Sequence, residues 1–323
     1  GLGDVYKRQA FNCHKIEVSN WHDFSGLDNY TLRWQLLRNG KIEKEGYMAF
    51  PEIAPGKKGT MEIPFGKIDD NNEYILTLRA FTKAEHGMIP ANHEAATAQW
   101  VLNDFSAWQG AKGTDKVNVS EETDRIVLSG TGYSLAFSRE DGSLISWQSA
   151  GREMIQSPMR PNFWRPLTDN DIPNGHLDRC GVWKNAAENL KLENIETVKN
   201  ENGLAGVNVK LVNKDLDIRM EMAYRLGDDE TLDVDCRFIP GKVALPEIPR
   251  LGMTLTMPGA YDKMSWYGRG PGESYADRNS ASLIGLYEST VWDQYHPYVR
   301  AQETGNHCDV RWMAFADETG NGI

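Results

Sequence analysis

A period of two constrains this chain more than any other feature. Residues 75–81, ILTLRAF, alternate apolar and polar side chains, the pattern of a strand with one face buried. Residues 30–50 read YTLRWQLLRNGKIEKEGYMAF, with Leu32, Trp34 and Leu36 on one face. Asn39-Gly40 in that run suits the two positive-φ positions of a type I′ turn, so the segment is read as a tight hairpin. Further short strands are expected at residues 16–18, 59–63 and 95–102, separated by Pro51, Pro55-Gly56 and the polar stretch 69–72. Short strands with a turn signal every ten or so residues describe an antiparallel sandwich, and residues 11–103 are read as one immunoglobulin-like β-sandwich.

Residues 104–119, DFSAWQGAKGTDKVNV, carry little period and are read as a linker. Strand patterns return in RIVLSG, YSLAFSR and SLISWQS, with Asp141-Gly142 as a hairpin turn. They continue in GVNVKLVN, LDIRMEMAYRL and TLDVDCRFI, with Gly227-Asp228-Asp229 between the last two. Strands of nine to eleven residues exceed the usual five or six and point to a large sandwich over residues 120–323. One exception is residues 177–190, where Trp183, Ala186 and Leu190 fall at helical spacing. The fold class expected is all-β.

Composition narrows the function classes. The 323 residues carry a formal charge of −11, and no basic stripe offers itself to nucleic acid. No apolar run approaches the ~18 residues of a membrane-spanning helix. Ten Trp, twelve Tyr and ten Phe supply a core. Cys13, Cys180, Cys236 and Cys308 form no CxxC pair, so buried or half-buried thiols are expected in place of a disulfide framework or zinc ribbon. The start, GLGDVYKRQ, shows neither a signal-peptide core nor a period and is set aside, as residues 1–10, as a sequencing or cloning junction. The end, after a strand-like run and a turn, reads as a sandwich stopped before its last strands.

Standard catalytic signatures are missing. His93-Glu94 is followed by Ala95-Ala96-Thr97, so there is no HExxH, and no GxSxG or GxxxxGK[ST] occurs. The seven histidines are scattered, without the spacing of converging metal ligands. The run Gly268 to Gly272, GRGPG, lacks both the third glycine and the βαβ context of a phosphate-cradling loop. Three polar, aromatic-rich clusters remain.

In residues 161–175, PNFWRPLTDNDIPNG, prolines bracket Asp169, Asn170 and Asp171, with Asn174 just beyond. Such a loop holds sugar hydroxyls, binds a cation, or caps its own backbone through Asx turns. Residues 265–278, SWYGRGPGESYADR, read as a corner held by pairing of arginine with Glu273 or Asp277. In residues 293–315, Tyr295, Tyr298 and Trp312 lie beside Glu303, Asn306, His307 and Arg311. Aromatic faces with a few hydrogen-bonding groups suit a saccharide cleft.

RPLTDND, LPEIPRLGMTLTMP, WYGRGPGESYADR and YVRAQETGNHCDVRW, in this order, resemble the C-terminal portion of a glycoside hydrolase family 2 β-galactosidase of the large-chain bacterial type. NYTLRWQLLRNGK is similar to that family's second immunoglobulin-like domain. The resemblance implies an immunoglobulin-like domain followed by an incomplete galactose mutarotase-like supersandwich. It implies a retaining parent enzyme acting on β-galactosides, with both catalytic glutamates on a TIM barrel outside this sequence. The chain would then contribute scaffold and part of a pocket wall, including the loop 169–175, where Pro173-Asn174 departs from the family pattern. It also implies magnesium and sodium in the parent, with ligands mostly upstream, and a homo-oligomer. Two other readings stay open: a non-catalytic carbohydrate-binding sandwich, and an aldose 1-epimerase-like enzyme pairing Glu303 with His296 or His307.

Overall fold

The computed structural model describes residues 14–323 apart from 69, 104–109 and 115, with backbone only at 200 and 201. The proposed junction at residues 1–10, Cys13 and residues 104–109 of the expected linker lie outside the described residues. The regular structure of the described chain is nearly all β-strand, with a single short α-helix among the described residues.

The first strands are β1 (Lys15–Ser19), β2 (Tyr30–Arg38), β3 (Lys41–Ala49), β4 (Lys58–Glu62), β5 (Tyr74–Thr82) and β6 (Glu94–Val101). They form an antiparallel sheet in the order β3-β2-β5-β6 and a separate pair, β1-β4. Asn39 and Gly40 both take positive φ, 48° and 80°, so the β2–β3 hairpin closes as its dipeptide dictates. One face of the sheet packs Leu32, Trp34, Leu36, Leu76 and Leu78 against Val18, Met61 and Ile63 of the opposing layer. Burying this alternating set stabilises the immunoglobulin-like sandwich at about 25 cal/mol per Å² of apolar surface.

The later strands are β7 (Asn118–Glu121), β8 (Arg125–Gly130), β9 (Tyr133–Ser138), β10 (Leu144–Ser149), β11 (Arg152–Glu153) and β12 (Ser157–Asn162). After helix α1 (His176–Cys180) come β13 (Lys191–Glu201), β14 (Leu204–Asn213), β15 (Ile218–Leu226), β16 (Leu232–Pro240) and β17 (Gly252–Thr256). One sheet runs β17-β12-β10-β9-β8-β7, with β11 on β10; a second runs β13-β14-β15-β16. Ile126, Leu128, Leu135 and Phe137 of the first meet Val207, Val209, Ile218 and Tyr224 of the second in one core. The rings of Phe137 and Tyr224 lie 4.8 Å apart across it. The last strands, β18 (Lys263–Gly270), β19 (Leu283–Thr290) and β20 (Trp312–Ala316), form a three-stranded sheet ordered β19-β18-β20.

The chain divides into two compact units that interleave in sequence. The first holds the described residues up to Asn103, with Ser265–Glu288 and Asn306–Met313; the second holds Gly110 to Met264, Ser289–Gly305 and Ala314–Ile323. The sequence reading placed all of residues 120–323 in one domain, whereas two of its segments cluster with the immunoglobulin-like unit.

Three local readings are corrected. The expected helix over 177–190 is only the five residues of α1, followed by a 3-10 turn at Gly181–Trp183 and further turns. Gly181 weakens helix propagation, and the turn is held instead by Trp183 donating its indole N–H to the Pro246 carbonyl at 3.2 Å. The linker read as 104–119 ends inside β7. Its described part is pinned, since Ala111 N–H donates to Asp233 at 3.0 Å and Thr114 Oγ1 to Asp228 at 2.6 Å. Cys236, expected at least half-buried, is exposed on β16, because that strand keeps several side chains in water.

Candidate functional site

The eight candidate residues fall into two groups, one in each unit. In the second unit, the prolines of RPLTDNDIP set a chain of turns between β12 and α1, and Asp171 folds back on it. Its carboxylate accepts from Thr168 N at 2.7 Å and Thr168 Oγ1 at 3.0 Å, so it caps its own loop as an Asx residue does. Arg165 donates to both of its oxygens, at 2.6 and 3.1 Å, a bidentate geometry that only a guanidinium supplies. Asp171 is 6% exposed. The Arg165 guanidinium, aided by Thr168 and opposed by burial, holds its carboxyl well below the usual carboxylate range.

Arg165 also approaches Glu303, with Nε 3.9 Å from Oε2, and Arg250 donates to the other Glu303 oxygen. Asp171, Arg165, Glu303 and Arg250 thus form one continuous charged chain. Asp169 joins from the side: its N–H donates to the Ala301 carbonyl at 2.7 Å and its carboxylate accepts from Arg300 at 3.0 Å. Asn170 is exposed. Asn174 turns elsewhere, accepting from Arg179 at 3.0 Å, while Arg179 Nε donates to Glu247 at 2.6 Å. His176, behind Asp171, is buried against Trp164 with ring centroids 5.7 Å apart. Its Nε2 has no hydrogen-bond partner among the described residues.

The second group lies in the first unit. Asn306 donates to the Ser274 carbonyl at 2.7 Å and returns its own carbonyl to Ser274 N–H, also at 2.7 Å. His307 packs 4.3 Å from the Trp266 ring, with Nδ1 3.1 Å from the Arg269 carbonyl. Burial pushes its imidazole below the ordinary value, against the hydrogen bond to Arg269. Arg311 donates Nη2 to Glu73 at 2.5 Å and Nε to both Glu73 oxygens at 3.1 Å. Asp169, Asp171 and Glu303 are therefore brought together, and Asn306, His307 and Arg311 are engaged in packing the other unit.

Of the aromatic residues read as a saccharide lining, Tyr295 is exposed and stacks on exposed Trp292 at 5.6 Å. Cavities of about 300 Å³ around Trp21, His22, Tyr30 and Phe50, and about 290 Å³ around Asp141, Arg160 and Met222, are lined by none of the eight candidates. The sequence reading foresaw arginine pairing with Glu273, which Arg278 makes, but missed Arg165, Arg250 and Arg300 as partners of the candidate loop and of Glu303. Arg165 stood inside the RPLTDND run, and its even spacing from acidic neighbours was the available signal. Glu73, by contrast, borders a polar turn that reads as solvent-facing. Among the described residues, no three His, Cys, Asp or Glu side chains converge to hold a metal ion.

Chemically, the charged chain positions a loop. A carboxylate locked ionised by a bidentate arginine is a poor proton donor, while Asn170, exposed on the same loop, carries an amide of the kind that bonds hydroxyls.

Residues 129–322 match the family described as Beta galactosidase small chain, and residues 16–103 match Beta-galactosidase, domain 4. The chain is 30% identical over 313 residues to a β-galactosidase of Priestia megaterium, covering 96% of this chain and 30% of that protein. It is 26% identical over 314 residues to a β-galactosidase of Streptococcus thermophilus, covering 97% and 30%. A β-galactosidase of Lactobacillus delbrueckii subsp. bulgaricus is 27% identical over 307 residues, covering 95% and 30%. The chain spans about 30% of the length of these curated relatives.

Proposed function

Because the chain belongs to the β-galactosidase small-chain family, we propose that it is one part of a retaining β-galactosidase that releases terminal, non-reducing β-D-galactose. The observation that carries this reading is the order of the two family matches, 16–103 then 129–322, which together take in most of the chain. In a retaining glycosidase, one carboxyl group protonates the leaving oxygen and a second, ~5–5.5 Å away, forms the glycosyl-enzyme. Neither role is given to a residue of this chain. An acid catalyst needs a raised pKa, and Asp171 is shifted the opposite way.

The chain's role is to hold a wall. The ion-paired chain Asp171–Arg165–Glu303–Arg250 fixes the loop 169–174, which presents hydroxyl-bonding groups to a galactoside in the assembled enzyme. The catalytic glutamates, the barrel that carries them and the magnesium and sodium sites belong, in this reading, to the rest of the parent, which works as a homo-oligomer.

The test is an assay of the purified 323-residue chain beside the full reading frame of its parent gene, with nitrophenyl β-D-galactoside. Hydrolysis is expected from the longer protein alone. Turnover by the 323-residue chain would overturn the assignment of catalysis to residues elsewhere, and an inactive full-length protein would overturn the β-galactosidase reading.

A further inference from the structure

The outer face of the β3-β2-β5-β6 sheet is covered by the chain itself, where Leu37 and Ile75 pack with Tyr267, Ile284 and Leu286 beside the buried Glu73. One end of the same sandwich stays open. There Trp21, His22, Tyr30 and Phe50 line a cavity of about 300 Å³ together with Ser19, Leu27 and three alanines. The hollow exists because the sheet runs out of bulk. Leu78 of β5 fills the core, whereas two residues on Ala80 pairs with Ala96 of β6. A bulge at this point leaves Ala95 unpaired between Glu94 and Ala96, and bulges re-aim side chains next to binding sites. The rim is fixed in advance. Asn20, fully buried, donates Nδ2 to the carbonyls of Ser25 and Ile53, both at 2.9 Å, and accepts from His22 N–H at 3.0 Å. This pins the turn that leaves Trp21 and Phe24 exposed. The His22 ring lies parallel to that of Tyr30, with centroids 5.6 Å apart.

The lining selects a class of ligand. No carboxylate, lysine or arginine is part of it, so phosphates, carboxylates and ammonium groups find no countercharge. Ser19, His22 and Tyr30 each carry a neutral group that both donates and accepts, as a sugar hydroxyl does. Trp21, Tyr30 and Phe50 offer ring faces to the C–H face of a pyranose, and the volume lies at the small end of ligand pockets. We propose that this cavity binds a single neutral hexopyranose, stacked on Trp21 and hydrogen-bonded by Ser19, His22 and Tyr30. A rim already ordered by Asn20 lowers the entropy cost of that binding. The proposal rests on the immunoglobulin-like unit alone and is independent of the enzymatic reading.

The test is saturation-transfer NMR with calorimetry on the 323-residue chain, using methyl β-D-galactopyranoside and, separately, indole, a neutral ring without hydroxyls. One glycoside is expected to bind per chain with a Kd on the order of 1 mM. No saturable binding would overturn the proposal, and so would indole binding more tightly than the glycoside. Ala80→Leu fills the cavity and should weaken binding more than about tenfold. Trp21→Ala, at an exposed position, guards against misfolding of that variant and should weaken binding about fivefold. Trp21→Phe, which keeps a ring, should restore most of the loss. Binding unchanged in both Ala80→Leu and Trp21→Ala, with circular dichroism retained, would sink the assignment of this cavity. Binding lost in Asn170→Ala but kept in Ala80→Leu would also overturn it, by placing the sugar on the loop 169–174.

Discussion

Asp171 and His307 show how burial and partners set what a titratable side chain does here. Asp171 is ionised by its arginine, so replacing it with Asn leaves Arg165 without its bidentate acceptor and should cost about 3 kcal/mol, read as a lowered urea midpoint. Its folded pKa is depressed from 3.8, so its stabilisation is present above that value and is lost as pH falls through the lower, folded one. Asp171→Asn should remove this part of the acid limb. His307 is also depressed, from 6.5, by burial beside Trp266. Below that value the unfolded chain takes up a proton that the folded chain resists, so stability falls with pH in that window. His307→Gln should flatten the slope of thermal midpoint against pH just below 6.5; an unchanged slope would show that another group carries it.

At the scale of elements, the β2–β3 turn and the 176–190 segment are the most exposed to test. Gly40 combines a φ of 80° with contact on the Tyr267 ring. Gly40→Ala therefore meets both a left-handed backbone penalty and a clash, together about 2 kcal/mol by thermal or chemical melting. Trp183, fully buried between Phe163 and Phe238, should cost about 4 kcal/mol on truncation to Ala. These elements also show what was legible beforehand. ILTLRAF, YSLAFSR and LDIRMEMAYRL declared themselves because one face of each is apolar at period two, and Asn39-Gly40 because few other dipeptides take two positive φ values. β13, KLENIETVKNE, went unread because its side chains are largely polar; its strand state comes from pairing with β14. In the 177–190 segment, the apolar spacing marked the buried side correctly at Trp183 and Ala186, but Gly181 and tertiary packing override helical period. The candidate loop was visible as a polar, proline-bracketed run, while its partners Arg250 and Arg300 lie far along the chain and carry no local pattern. The covered outer face did leave a trace: Leu36-Leu37 and Tyr74-Ile75-Leu76 break strict alternation, as strands buried on both faces do.

Across the whole molecule, sequence order and unit membership diverge. Residues 265–288 and 306–313 return to a unit whose strands were laid down in the first hundred residues. A chain ended after Met264 would leave Leu37 and Ile75 uncovered and Glu73 buried without its guanidinium. The immunoglobulin-like unit of that shortened chain should melt lower than in the full chain, with Trp34 fluorescence as the reporter; an unchanged midpoint would show that its inner core alone sets its stability.

The Glu73–Arg311 pair spans 238 positions, and this converts into time. Ribosomes add roughly 5–20 residues each second, so Arg311 leaves the exit tunnel about 12–48 s after Glu73. For that interval the nascent immunoglobulin-like sheet presents an apolar patch and a lone acid to solvent or to other nascent chains on the same message. Polysomes, where many copies wait at the same stage, are thus where this protein is most open to mispairing, and a translational pause before Ser265 would lengthen the wait.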